Sequence, residues 1–297
     1  MRRTIPVLLA AALAGCAAEK PPVAELAASP AQIDLGWPEF TEIEIAIEPS
    51  AELPASAGAP IVFLHLLDEP GSVVRTFDHV LPEPWRVGRP IVYRVRLYQS
   101  ALGEPLEAGV YLLSAGLYRP GLERFPLAAE GEPVSRFEYR IATVSVASPD
   151  ETTPHARFSD NWLPTEPGAD RQVVARRALR GGGPGTIRFG PVPGAGRLFV
   201  GLLIPGDPGP SARLDVLDGG TLPKVRIQSS CGGGQPEVSG LGRIDVDLEV
   251  PPAVGTRECE ITIVPNFQVT SSERAEATSV VLEALSWGPA ADGTGGG

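Results

Sequence analysis

Between residues 42 and 48 the chain reads Glu42-Ile43-Glu44-Ile45-Ala46-Ile47-Glu48, which puts three isoleucines on one side of an extended segment and charge mostly on the other. Strand side chains alternate between two faces, so the pattern predicts a β-strand with one buried and one wet face. Arg243-Ile244-Asp245-Val246-Asp247-Leu248-Glu249-Val250 repeats it. Short apolar, β-branched runs also occupy 61–67, 73–78, 91–98, 109–118 and 136–146, then 172–180, 185–189, 197–204, 212–217, 224–229, 258–264 and 277–286. Glycine and proline, 34 and 32 residues, separate these runs at turn positions. Spacing of roughly eight to twelve residues between turn signals predicts an all-β protein.

The length is long for one sandwich, so two domains are expected, 31–147 and 155–289, joined by the proline-bracketed polar stretch 148–154. Six or seven strands in the first suit an immunoglobulin-like β-sandwich, and eight short strands in the second suit a jelly-roll, galactose-binding-like sandwich. Residues 290–297, rich in glycine, are expected to be disordered.

The N-terminus departs from this rhythm. Arg2 and Arg3 precede an apolar run from Ile5 to Leu13, followed by Ala14-Gly15-Cys16. The run is too short for a bilayer core, which needs about 20 residues of helix, so residues 1–15 read as a cleaved signal peptide. Leu13-Ala14-Gly15-Cys16 resembles the bacterial lipobox, which implies lipid on Cys16 and a mature chain that begins there. That resemblance places the protein in the cell envelope, and Ala17 after the cysteine favours the outer over the inner membrane. Residues 16–30 are then expected to be the anchor and a flexible tether.

Two cysteines remain, Cys231 and Cys259. In an oxidising compartment a disulfide is their natural use, with two buried free thiols as the alternative. A formal net charge of -11, from 25 basic and 36 acidic residues, argues against nucleic acid as a partner, since phosphate binding needs a basic footprint. Arg171, Arg176, Arg177 and Arg180 are read as solvent-face decoration. His65, His79 and His155 stand at no metal-ligand spacing, so neither a metal nor a cofactor is expected. His65 is read as a hydrogen-bonded structural residue, and His79, after Asp78, as a turn or a bond to the backbone. No nucleophile elbow occurs, and no catalytic residues are assigned; a carboxylate pair acting on glycosides stays open as a lesser alternative.

Several short strings resemble the two β-sandwich modules at the extracytoplasmic end of bacterial membrane glycosyltransferases of the protein-mannosyltransferase type. They are Phe77-Asp78-His79, Trp85-Arg86-Val87-Gly88, Gly109-Val110-Tyr111-Leu112 with Gly116-Leu117-Tyr118, Trp162-Leu163-Pro164-Thr165-Glu166, and Val264-Pro265-Asn266-Phe267. The chain lacks the multi-span catalytic region of those enzymes, so the resemblance implies an accessory of glycan machinery and not a transferase.

Sugars stack on flat aromatic faces while nearby polar side chains take their hydroxyls. The segment with both is Asp160-Asn161-Trp162-Leu163-Pro164-Thr165-Glu166, read as a surface loop. Asp160, Asn161, Trp162 and Glu166 are therefore the candidate ligand-binding residues, the competing role for Trp162 being a plug at the sandwich mouth. Trp37 and Trp85 carry the same two readings, and Trp287 is expected to close the last strand. The function expected is a non-catalytic, lipid-anchored envelope protein that binds carbohydrate. The alternatives are a structural lipoprotein with envelope-protein partners and, less favoured, a glycoside-active enzyme.

Overall fold

A computed structural model describes residues 20–54, 58–121, 123–168, 170–206, 211–272 and 276–290. Residues 1–15, read as a signal peptide, Cys16, read as the lipidation site, and residues 291–297 of the expected tail lie outside the described residues. Every regular element among the described residues is a strand; the fold is all-β.

In the first part of the chain these are β1 (Ala24–Ser29), β2 (Gln32–Asp34), β3 (Phe40–Pro49), β4 (Ile61–Leu67), β5 (Val73–Thr76) and β6 (His79–Val80). They continue with β7 (Ile91–Tyr98), β8 (Gly109–Tyr118), β9 (Leu127–Ala129), β10 (Pro133–Ser135) and β11 (Glu138–Val146). One sheet runs β7-β3-β1-β9, and its partner β10-β11-β8-β4-β5 with β2 and β6 at its margins. The alternation read at 42–48 holds, with Ile43, Ile45 and Ile47 at no more than 1% exposure between the two sheets. Burying each is worth about 1.5–3 kcal/mol.

The second part comprises β12 (His155–Phe158), β13 (Glu166–Pro167), β14 (Ala175–Arg180), β15 (Gly185–Pro193), β16 (Gly196–Ile204) and β17 (Ala212–Val216). After them come β18 (Lys224–Ser229), β19 (Glu237–Ser239), β20 (Gly242–Val250), β21 (Thr256–Pro265), β22 (Phe267–Ser271) and β23 (Thr278–Pro289). The sheets here run β12-β15-β21-β18-β19 and β13-β14-β23-β16-β20, with β17 and β22 paired beside the latter. Cys231 and Cys259 are joined by a disulfide, which ties the turn after β18 to β21 inside the core. That turn passes tightly over β20: a Cβ at Gly233, whose φ is +85°, would lie 2.7 Å from the Glu249 carbonyl oxygen.

The tether expected over 16–30 is shorter than read. Residues 24–29 are β1, paired antiparallel with β3 and parallel with β9, and Ala24 and Leu26 are buried. Alanine is a weak strand former, so composition disguised a segment that the sheet holds through backbone pairing.

The two parts meet through the outer face of the β23-β16-β20 region. Leu198, Val200, Leu202 and Ile204 face the core of the second part, while Phe199 and Ala284 belong to the core of the first. This explains why β16 is an unbroken apolar run: both of its faces are covered. The junction is also hydrogen-bonded: Ser286 Oγ donates to the Gln99 carbonyl, the Trp287 amide to Pro38, and the Ala101 amide to the Leu285 carbonyl.

Candidate functional site

The segment 160–166 does not form the ligand platform expected of it. Trp162 is only 3% exposed, packs edge-on to Phe158 with ring centroids 5.8 Å apart, and belongs to the core of the second part. Its backbone bridges to Leu179, and its indole lies over Gly185, where a Cβ would come within 2.8 Å of Nε1. Asn161 spends its amide on the Pro184 carbonyl at 2.8 Å, and Glu166 pairs with Arg176 at 3.6 Å. Asp160 is exposed without the aromatic it was expected to accompany. Proline and polar residues marked a loop correctly, but loop composition does not reveal which way one indole turns.

The other tryptophans are likewise structural. Trp85 donates to the Ala51 carbonyl at 3.1 Å, Trp37 donates to the Ser100 and Gly103 carbonyls of the first part and lies 5.6 Å from the His155 ring, and Trp287 is buried in β23. The four arginines have separate partners: Arg171 the Val73 carbonyl, Arg176 Glu166, Arg177 the Leu163 carbonyl and Arg180 Glu276.

His65 is hydrogen-bonded and structural. Its Nδ1 lies 3.2 Å from Glu138 Oε1, which also accepts from Ser114 Oγ at 2.7 Å. Ser135 and Arg124 bind the other oxygen of Glu138, at 2.8 and 2.7 Å. The His65 hydrogen bond leads, with these others, in holding the Glu138 carboxyl far below the usual range, against the pull of burial. Ser114 gives its hydrogen bond to a carboxylate, so this cluster is a satisfied polar knot between β4, β8 and β11 and not a nucleophile with its base.

The chemically richest concavity lies where β7 and the β5–β6 connection face β20. This cleft encloses about 450 Å³ and includes Asp78, His79, Tyr93, Arg94 and Asp245 in its lining. Arg94 and Arg96 share one side of β7, with Tyr93 on its core-facing side, and Arg243, Asp245 and Asp247 share one side of β20. Both are edge strands of their sheets, each hydrogen-bonded to a single neighbour.

Hydrogen bonds order the floor. His79 Nδ1 lies 2.9 Å from the Phe77 carbonyl, which can only accept, so Nδ1 carries the proton and Nε2 accepts from Tyr93 Oη at 2.8 Å. Burial lowers the His79 pKa and raises that of Tyr93, which keeps both neutral and this arrangement intact near pH 7. Burial also raises the Asp78 carboxyl, opposed by His65 and the Leu64 amide. Deeper in, Arg243 donates to Tyr98 Oη at 3.0 Å and pairs with Asp245 at 3.2 Å. Arg96 pairs with Asp247 at 2.8 Å and lies 4.5 and 4.3 Å from the ring centroids of Phe40 and Phe199. The cleft thus presents fixed donors and acceptors beside a largely buried tyrosine, and its carboxylates Asp245 and Asp247 are engaged in ion pairs.

Sequence reasoning reached Asp78 and His79 but not Tyr93, Arg96 or the β20 carboxylates as a group. The available signal was the outward row on β20, which alternation had already placed on one face. Among the described residues no group of three or more His, Cys, Asp or Glu side chains is arranged to hold a metal ion. No helix among them is long and apolar enough to cross a membrane, which does not bear on strands.

No family model matches the chain, and no curated protein matches its sequence. Among solved structures it is similar to a Salmonella alpha-2-macroglobulin mutant, at 12% identity over 92% of this chain and 15% of that one, with a TM-score of 0.24. It is also similar to the Yersinia pseudotuberculosis adhesin InvE, at 12% identity over 87% of this chain and 58% of that one, with a TM-score of 0.22. The chain therefore spans less than two thirds of the length of either.

Proposed function

We propose that this protein is a non-catalytic binding module of the bacterial envelope, held by lipid on Cys16 to the outer membrane, that takes carbohydrate in the cleft between its two parts. The observation that carries the reading is the β7–β20 cleft itself, where Tyr93 and His79 form a fixed polar pair opposite Asp245 and Arg243. Such a wall suits a sugar: its hydroxyls meet the Asp245 carboxylate and the Arg94 guanidinium, and the Tyr93 hydroxyl, whose proton goes to His79, keeps its oxygen as an acceptor. The first part is read as immunoglobulin-like and the second as a jelly roll; two packed sheets in each, antiparallel except for the β1–β9 and β2–β11 pairs of the first part, support both. The resemblance to extracytoplasmic modules of protein-mannosyltransferase-type enzymes agrees with a place beside glycan machinery.

A second reading has its own support. β7 and β20 both flank the cleft with unpaired backbone edges, so an extended peptide from an envelope protein could add to either one. A glycan array probed with the Cys16→Ser protein, which should leave the membrane fraction, tests the first reading. Binding should fall about tenfold, roughly 1.4 kcal/mol, in Tyr93→Phe or Asp245→Asn. Silence across the array, with peptides captured instead, transfers the cleft to the peptide reading. Release of reducing ends from a bound glycan would make the protein an enzyme.

A further inference from the structure

The fold leaves little free chain between the lipidated cysteine and the first hydrogen-bonded residues. Lys20 Nζ contacts Glu123 at 3.2 Å, Ser50 Oγ donates to the Pro22 carbonyl at 3.3 Å, and the Val23 amide donates to Pro126 at 2.9 Å. From Cys16 to Lys20 there are only four residue steps, a reach of at most about 14 Å when fully extended. A body whose chain enters the fold at Lys20 and whose lipid lies in the bilayer has one face within that distance of the membrane.

That face has membrane-surface chemistry. A concavity of about 510 Å³ is lined jointly by Lys20, Pro21 and Pro22 and by the hairpin that joins β10 to β11. The hairpin turns through Arg136 and Phe137, between the paired residues Ser135 and Glu138. Phe137 adopts φ 59°, a left-handed conformation uncommon in residues with a side chain and natural to glycine, yet an aromatic occupies it with a half-exposed ring. Val134 beside it is 39% exposed, and the Arg136 side chain is 73% exposed. Aromatic and aliphatic groups flanked by lysine and arginine are the composition of a membrane interface: rings settle among headgroups while cations meet phosphates. Here Lys20 and Arg136 flank Glu123, at 3.2 and 3.9 Å, and exposed Glu132 precedes β10.

We infer that the β10–β11 hairpin, with Val134, Arg136 and Phe137, rests on the phospholipid headgroups next to the anchor, so that the protein stands with this face down. The inference rests on lipidation of Cys16. The β7–β20 cleft then has its orientation to the bilayer set by the fold and not by a swinging tether.

The test uses the mature, acylated full chain in vesicles of phosphatidylethanolamine and phosphatidylglycerol. A single environment-sensitive fluorophore is placed on Val134→Cys or, as the distant control, on Val254→Cys, both exposed positions where the substitution leaves the core untouched. Aqueous iodide should quench the probe at 134 at least about threefold less than the probe at 254, as interfacial burial of a few ångströms requires. Equal quenching at both positions in protein that incorporates labelled fatty acid overturns the docking and leaves the anchor standing. Protein that incorporates no fatty acid overturns the anchor reading, and the docking with it.

Discussion

Arg96 and Asp247, 151 positions apart, meet across the junction at 2.8 Å, with the guanidinium also reaching Glu42 at 3.4 Å. Arg197 approaches the same two carboxylates from the other part, at 3.1 and 3.8 Å. Two cations and two anions therefore share one site beside the rings of Phe40 and Phe199, and the arginines help to outweigh burial and lower the Glu42 pKa. Removing Arg96 takes away the shorter partner of Asp247 and leaves Arg197 alone to balance both carboxylates. With Asp247 at 36% exposure and so partly screened, Arg96→Ala should cost about 2–3 kcal/mol in urea unfolding. Arg96→Lys should recover less than half of that, because an ammonium lacks the planar face that lies against the rings. A loss under about 0.5 kcal/mol would mean that the junction does not depend on the pair.

Trp162→Ala should destabilise the second part by about 3–5 kcal/mol, the usual cost of emptying a buried indole site. Trp162→Phe, which fills most of the space, should cost less. Neither should change affinity for a glycan held in the cleft, provided that binding is measured well below the melting temperature. An unchanged melt together with lost binding would restore Trp162 as a ligand platform.

The Cys231–Cys259 bond closes a loop with a sequence separation of 28. On the chain-entropy model its loss should reduce stability by roughly 3–4 kcal/mol. The double Cys231→Ala, Cys259→Ala variant measures this in urea, and non-reducing peptide mapping of exported protein shows the bond directly. Two alkylatable thiols in denatured, unreduced protein would contradict it.

Glu138 gives the acid limb of stability its sign. Its folded-state pKa lies below its ordinary value of 4.5, so the stabilisation is complete above that pH and is lost as pH falls toward the folded-state value. Asp78, raised by burial, contributes with the opposite sign: its share is present below the ordinary aspartate value and lost as pH rises. Urea midpoints should therefore fall between about pH 5 and about pH 2.5 in the parent, and fall less in Glu138→Gln. At neutral pH the same variant should be about 1–3 kcal/mol less stable, because Arg124 and His65 lose a charged partner. Parallel acid limbs in the two proteins would assign the titration elsewhere.

Most of the strands were legible from local pattern. The limits read for β4, β7, β8 and β18 match those observed, because short apolar or alternating runs are closed at both ends by glycine, proline and polar turn residues. The disulfide was legible because two cysteines left for one oxidising compartment have one obvious use. β1 was not, since Ala24–Ser29 has weak strand propensity and gains its conformation from β3 and β9. The direction of the Trp162 ring, the Arg96–Asp247 contact and the membership of Phe199 in the first core were decided only by tertiary packing. Local propensity acts over a few residues and specifies which face of a strand is apolar. What covers that face, and which distant charge meets which, depends on how sheets far apart in sequence come together. The row Arg243, Asp245 and Asp247 was visible as a row from the sequence alone, but it became a wall of a cleft only when β7 arrived opposite it.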